Sequence, residues 1–188
     1  MLKTIQNAFK IPDLRKKLIY IFMMLVVIRF GSQLPIPGVD PSFIRNFFEQ
    51  HEGDAFNFFN AMTGGSFTNM SIFALSITPY ITSSIIIQLL TIAIPKLEEM
   101  QKEGEDGRKK IIEYTRYLTV ALALIQSTAM SIGFGSSGLL INFNEQTGLG
   151  KAGLIIVAVS TMTAGSALLM WIGERITQNG VGNGISIV

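Results

Sequence analysis

The 188-residue sequence contains no cysteine, one histidine and few charged residues. The lack of cysteine excludes disulfides, thiolate zinc sites, iron–sulfur clusters and a cysteine nucleophile. A single histidine, His51, excludes a metal site built from several histidines. Charged residues make up 15% of the sequence, whereas soluble domains carry about 25%. Because the charges lie in short stretches between long uncharged runs, the composition indicates a membrane protein.

Four runs are long enough to cross a bilayer core of about 30 Å as helices of about 20 residues. They predict an all-α integral membrane protein with spans at 18–34, 71–94, 118–134 and 153–172, and the start of a fifth at 185–188. Since the fifth run is cut off after its first turn, we expect the sequence to be a piece of a longer protein.

The first span follows Arg15, Lys16 and Lys17, as the apolar part of a signal peptide would. It continues into Arg29 and Pro35–Gly38 instead of a small-residue cleavage site, which favours a true span. Arg29 is the only charge within a span. We expect it to reach the interface or to pair within the helix bundle, with binding of a substrate anion as the alternative.

The spans separate five further segments, 1–17, 35–70, 95–117, 135–152 and 173–184. Most of the 15 lysines and arginines lie in the first, third and fifth segments, whereas the second and fourth hold only Arg45 and Lys151. The positive-inside rule therefore predicts a cytoplasmic N-terminus. The first segment fits either an amphipathic surface helix broken at Pro12 or a flank that only sets the topology.

The segment 35–70 contains the apolar, aromatic run Ala55–Met62, followed by Thr63–Phe67 with two glycines. The run is too short to cross a bilayer, so it lies at the interface, re-enters the membrane or is buried in protein. The glycines provide a hinge before the second span. A re-entrant plug and a plain interfacial helix both stay open on the residues alone.

The second span contains Pro79, which is expected to kink its helix. Ile77, Ile81 and Ile85 recur at helical spacing, and Gln88 falls on the same face. A lipid-facing isoleucine stripe is one interpretation. Gln88 argues instead for a face that meets protein or water, because an amide in lipid needs a partner, and Gln126 makes the same argument for the third span.

The segment 95–117 is densely charged. Glu98 and Glu99 resemble an acid–base pair, but their charged neighbours favour a solvated face. The basic cluster Arg108, Lys109 and Lys110 suits contact with anionic headgroups, ribosomal RNA or a partner, or it only sets the topology.

Two further patterns favour structural roles. Small and hydroxyl residues of the fourth span, Ser160–Ala167, allow another helix to approach closely. The glycine-rich stretch Gly180–Gly184 lacks the spacing and the lysine of a phosphate-binding loop, so a tight turn is favoured.

Several stretches resemble the SecY family of protein-conducting channels in the bacterial secretory pathway. The similar words are Arg29–Ser32 with Pro35–Asp40, Gly64–Phe67, Ser71–Ile81 with Ser84–Leu90, Lys102–Glu105 with Gly107–Lys110, Tyr114–Tyr117, and Met170–Thr177 with Gly182–Ser186. They occur in family order and cover nearly the whole chain.

The resemblance implies the first half of a ten-helix, inverted-repeat channel with a short re-entrant plug helix. Such a channel passes unfolded polypeptides across the plasma membrane and releases membrane segments sideways through a lateral gate. The implied partners are SecE, SecG, SecA or the ribosome, signal peptides, nascent chains, lipid and the C-terminal half of the channel. No enzymatic activity, cofactor, metal or DNA binding is implied.

The resemblance also assigns site residues. The apolar pore ring would include Ile77, Ile81 and Ile185, which would form a constriction that holds back ions. The lateral gate would include Ile85, Ile86, Gln88, Leu89 and Gln126. The plug would consist of Phe59, Asn60, Ala61, Met62, Thr63, Gly64, Gly65, Ser66 and Phe67.

Two other functions are less consistent with the sequence. Half of an inverted-repeat secondary transporter would need a charge near the midplane of a span, and the last three complete spans contain none. A membrane enzyme would need a catalytic constellation, and the sequence has neither an HExxH motif nor a histidine within a span.

Overall fold

The computed structural model describes residues 11–40, 42, 46, 61, 65–66, 69–135, 138, 140–141 and 148–188. Its helices are α1 Pro12–Gly31, α2 Thr78–Ala93, α3 Pro95–Lys102, α4 Glu105–Phe134, α5 Gly148–Asn179 and α6 Gly184–Ile187. Within these ranges the only extended pairings are two isolated bridges, Pro35 with Ser71 and Val39 with Leu140. The predicted all-α class is confirmed for this part of the chain.

Helix α5 is long and apolar enough to cross a membrane, and α2 with α3 passes the same test as a pair bent by 101°. By length and composition, the described helices therefore supply one span, or two if the bent pair counts as one. The predicted spans 18–34 and 118–134 fall largely within α1 and α4. Four crossings stay a prediction.

Prolines lie in the first turn of three of these helices. The expectation that Pro79 kinks the second span is wrong, because Pro79 is the second residue of α2. The missing N–H of proline costs no hydrogen bond in the first turn of a helix. Pro95 instead begins α3, and Ile94 before it is extended, as a residue preceding proline prefers to be. The chain bends there.

Helices α4 and α5 extend beyond the runs that predicted them. Helix α4 already begins at Glu105, within the charged segment, with Glu105 and Asp106 in its first turn, where acidic residues stabilise the helix dipole. Helix α5 continues to Asn179. The observed helices are longer than the predicted spans because polar residues with good helix propensity continue a helix beyond its apolar run.

Two hydrophobic clusters organise the packing. The first contains Ile36, Val39, Met70, Ala74, Leu140, Ala158 and Met162. Backbone bonds support it: the Ile36 N–H donates to the Met70 carbonyl at 2.9 Å, and the Ile72 N–H donates to the Leu34 carbonyl at 3.0 Å. The ends of the segment 35–70 are therefore held together. The second cluster, formed by Ile77, Tyr80 and Met170 with Ile185 and Val188 packed on it, is named the Ile77–Ile185 cluster.

The predicted close packing of the fourth span is confirmed on one face. Thr163, Gly165 and Ser166 are buried, whereas Ser160 and Ala164 are exposed. A Cβ on Gly165 would meet the carbonyl oxygen of Ile72. The backbones of α5 and the segment before α2 are therefore in direct contact, which only glycine permits.

Candidate pore and gate site

The Ile77–Ile185 cluster brings two of the three predicted ring residues together. Ile77 is 9% exposed and lies at the residue before α2, and Ile185 packs against it from α6. Both approach Gly173 of α5: a Cβ there would lie 3.5 Å from Ile185 Cγ1 and 3.7 Å from Ile77 Cδ1. Three separate segments of the chain thus converge on one apolar contact.

The third ring candidate, Ile81, is not part of this cluster. Ile81 is 46% exposed on α2 and shares an uncovered face with Ile85 and Leu89. The opposite face of α2 is the packed one and carries Tyr80, Ser83, Ile87 and Thr91. The predicted isoleucine stripe therefore does not form one surface. Ile77 is buried and precedes the helix, whereas Ile81 and Ile85 are exposed on it.

The polar gate candidates have different environments. Gln88 is exposed and its Nε2 donates to Ser84 Oγ, one turn earlier, at 3.4 Å. Gln126 is half-buried on α4, and Ile86 is half-buried on α2. Ser84 and Gln88 also line a cavity of about 730 Å³ between α2, α3 and α4, together with Gln101, Arg108 and Thr115.

The turn before α6 is held by side-chain bonds. The Gly184 N–H donates to Thr177 Oγ1 at 2.9 Å, and the Ile185 N–H donates to Asn183 Oδ1 at 3.1 Å. Gly182 has a φ of +80°, which glycine adopts without strain. The predicted tight turn is confirmed, and it places Ile185 of α6 against Gly173 of α5.

The plug candidates lie mostly outside the described residues. Phe59, Asn60, Met62, Thr63, Gly64 and Phe67 are outside, and Ala61, Gly65 and Ser66 are described. Ser66 is buried, and its carbonyl accepts bonds from the Ser71 N–H at 3.0 Å and from Ser71 Oγ at 3.1 Å. Ala61 and Ser66 line a cavity of about 140 Å³ together with Arg29 and Val188.

The basic cluster lies on the first turns of α4 and is exposed. Lys109 pairs with Asp106 at 3.1 Å, and Lys110 Nζ lies 3.8 Å from Glu103. Glu98 pairs with Lys102 at 2.6 Å, and Glu98 and Glu99 are both exposed. The solvated face expected for this segment is confirmed, since these charges have solvent or one another as partners.

Sequence reasoning missed one ion pair. Arg116 of α4 donates from Nε to Glu174 Oε1 at 2.8 Å and from Nη2 to Oε2 at 2.7 Å. These hydrogen bonds to Glu174 raise the pKa of the Arg116 guanidinium above its ordinary value. The available signal was the single acidic residue of the segment 173–184, Glu174, and the basic residue nearest the start of the third predicted span, Arg116, on the same predicted side of the membrane.

This arrangement defines, in the described residues, an all-helical fold whose packed helices converge on a small apolar contact and include at least one helix long and apolar enough to cross a membrane. The SecY family model matches residues 71–188. The chain belongs to the SecY family.

Relatives from several bacteria carry the same description. The chain is 46% identical over 178 residues to "Protein translocase subunit SecY" of Pseudomonas aeruginosa. That alignment covers 95% of this chain and 39% of the Pseudomonas protein. The chain is 45% identical to the proteins so described from Streptomyces scabiei and Bacillus subtilis, which cover 100% of this chain and 44% and 42% of those proteins. The chain thus spans about two fifths of the length of these relatives.

Proposed function

We propose that this chain is the N-terminal half of the channel-forming subunit of a protein translocase. It lines one side of a pore through which unfolded secretory polypeptides cross the bacterial plasma membrane. The observation that carries this proposal is the contact of Ile77 with Ile185 over Gly173, within a chain that belongs to the SecY family.

The proposed constriction consists of Ile77, Ile81 and Ile185. Branched apolar side chains exclude water and ions from a narrow passage, and they offer no strong hydrogen bond to a passing chain. The 46% exposure of Ile81 is consistent with a side chain that faces a passage or a second half of the channel. The C-terminal half would complete the ring.

The proposed lateral gate uses the open face of α2. Ile85 and Leu89 are exposed there, and Gln88 has only Ser84 as its side-chain partner among the described residues. Because an amide in an apolar environment costs free energy unless it is bonded, Gln88 would help to set how hydrophobic a signal peptide must be. Ile86 and Gln126 are the other residues of the proposed gate. Residues 59–67 would act as the plug.

The proposed orientation places the N-terminus and the basic cluster in the cytoplasm. Support comes from the concentration of lysine and arginine in alternate segments. SecA or the ribosome would approach from that side, and SecE and SecG would be the membrane partners. Anionic headgroups are an additional ligand for the exposed basic cluster.

Ion conductance of the assembled translocase in lipid vesicles tests the proposal. Ile81→Gly should raise the ion leak above that of the unchanged channel, because it removes an apolar side chain from the constriction. The matched control is Ile156→Gly, which removes an exposed isoleucine of α5 that is not assigned to the ring. Equal leak in the two variants would overturn the ring assignment, and absence of any discrete conductance would overturn the channel itself.

A further inference from the structure

The ion pair between Arg116 and Glu174 has a geometry that fixes two helices relative to each other. The Arg116 guanidinium donates one hydrogen bond to each of the two Glu174 carboxylate oxygens, at 2.8 and 2.7 Å. Such a bidentate pair defines an orientation as well as a distance. The Glu174 side chain is only 12% exposed, so it would be left largely desolvated if Arg116 moved away.

Three connections lead from this pair to the Ile77–Ile185 cluster. Glu174 directly follows Gly173, on which Ile77 and Ile185 converge. One turn after Gly173, Thr177 accepts the Gly184 N–H that starts α6.

The third connection runs through α2. Tyr80 is a member of the cluster and lies close enough to both Arg116 and Glu174 to interact electrostatically with them. A rotation of α5 at Glu174 would therefore displace Gly173, the start of α6 and the neighbourhood of Tyr80 together.

We propose that Arg116 and Glu174 are a positioning pair that sets the separation of Ile77 and Ile185, and thereby the resting width of the constriction. The channel role of the isoleucines rests on the proposed function, whereas their separation does not. Breaking the pair lets Glu174 turn toward water, and α5 carries Gly173 with it. The two isoleucines then lose their common contact.

The chain contains no cysteine, so cysteines introduced at 77 and 185 are the only reactive thiols once any cysteine elsewhere in the translocase is replaced by serine. In the assembled translocase, Ile77→Cys and Ile185→Cys are linked with a short thiol-specific cross-linker and the rate is measured. Adding Glu174→Gln or Arg116→Ala should lower the rate about threefold to tenfold, the size of effect expected for one coupled contact. Exchanging the charges, with Arg116→Glu and Glu174→Arg together, should recover most of the rate.

A matched control separates positioning from general loss of stability. Ser127→Ala removes a different side-chain contact between α4 and α5 and should leave the cross-linking rate unchanged. An unchanged rate in Glu174→Gln, or an equal fall in Ser127→Ala, overturns the proposal. Ion leak distinguishes the two levels: if Ile81→Gly leaks and Glu174→Gln does not, the positioning role fails while the channel stands.

Discussion

The hydroxyl oxygens of Ser127 and Thr163 lie 3.2 Å apart and join α4 to α5. Both side chains are buried, and Ser127 also donates to the Leu124 carbonyl at 3.1 Å. One turn further along α4, Ser131 is buried too, but its hydroxyl has no hydrogen-bond partner among the described residues. The two serines, one turn apart on the same helix, thus differ in whether the buried hydroxyl has a hydrogen-bond partner.

The two serines should respond differently to alanine. Ser127→Ala should lower the free energy of unfolding by about 1 kcal/mol, because it removes the hydroxyl contact across the interface, although Thr163 Oγ1 keeps its bond to the Val159 carbonyl. Ser131→Ala should be neutral or stabilising, since it removes a desolvated hydroxyl without breaking a bond. Denaturation in detergent, followed by circular dichroism, measures both. Equal destabilisation would show that Ser131 has a partner of its own.

The carboxylate of Asp40 carries a local pH dependence. Ser42 donates to Asp40 Oδ1 from its hydroxyl at 2.6 Å and from its N–H at 2.9 Å. These bonds, the hydroxyl one first, lower the pKa of Asp40 below its ordinary value, against a small opposing effect of burial. A lowered pKa means that the contribution is present above the ordinary value and is lost as the pH falls through the folded value.

The bonds should therefore persist at neutral pH and disappear only below about pH 4. The amide proton shift of Ser42, followed by NMR in detergent micelles, should titrate with a midpoint under the ordinary aspartate value. Asp40→Asn should abolish that titration. A midpoint at or above the ordinary value would mean that the ionised carboxylate does not accept these bonds in solution.

Much of the helical content could be predicted from the apolar runs, and the turn at Gly180–Gly184 from its glycines. The start of α2 could not. Residues before it bond elsewhere: the Ser71 N–H donates to the Ser66 carbonyl, and the Ser76 N–H donates to Phe73 at 2.8 Å. Ser76 even adopts a φ of +54°. These local turn bonds, together with the long-range bond from the Ile72 N–H to the Leu34 carbonyl, override an apolar pattern that alone continues the helix back to residue 71.

The candidate site could also be predicted only in part, because it too depends on contacts between distant parts of the chain. A resemblance assigns Ile77 and Ile185, but their meeting point at Gly173 depends on how α5, α6 and the start of α2 pack. The pair of Arg116 and Glu174 depends on the register of α4 against α5. No single-helix periodicity contains that register, because it is set by buried small residues such as Thr119 and Ala123 on the contact face.

Gly165 should not tolerate even a methyl group. Its Cβ would overlap the carbonyl oxygen of Ile72, and a backbone atom cannot move aside as a flexible side chain can. Gly165→Ala should therefore cost about 1–3 kcal/mol. Gly153→Ala is the control on the same helix, because no atom lies within 4 Å of its added Cβ. If both variants unfold at the same denaturant concentration, the close approach of α5 to residue 72 is wrong.

Gly173 and Gly184 face each other, yet they should differ in tolerance. A Cβ on Gly173 would make ordinary contacts at 3.5 Å or more, whereas a Cβ on Gly184 would meet the carbonyl oxygen of Gly173 and lie 2.6 Å from the Thr177 nitrogen. Gly173→Ala should be neutral or stabilise by up to about 1 kcal/mol, since alanine is the better helix former.

Gly184→Ala should destabilise by about 1–3 kcal/mol and should slow cross-linking between cysteines at 77 and 185. The cross-linking rate is the decisive measurement, because it reports the position of Ile185 on α6 directly. Unchanged cross-linking in Gly184→Ala would mean that Ile185 is held by its apolar contacts alone and not by the approach of the two glycines.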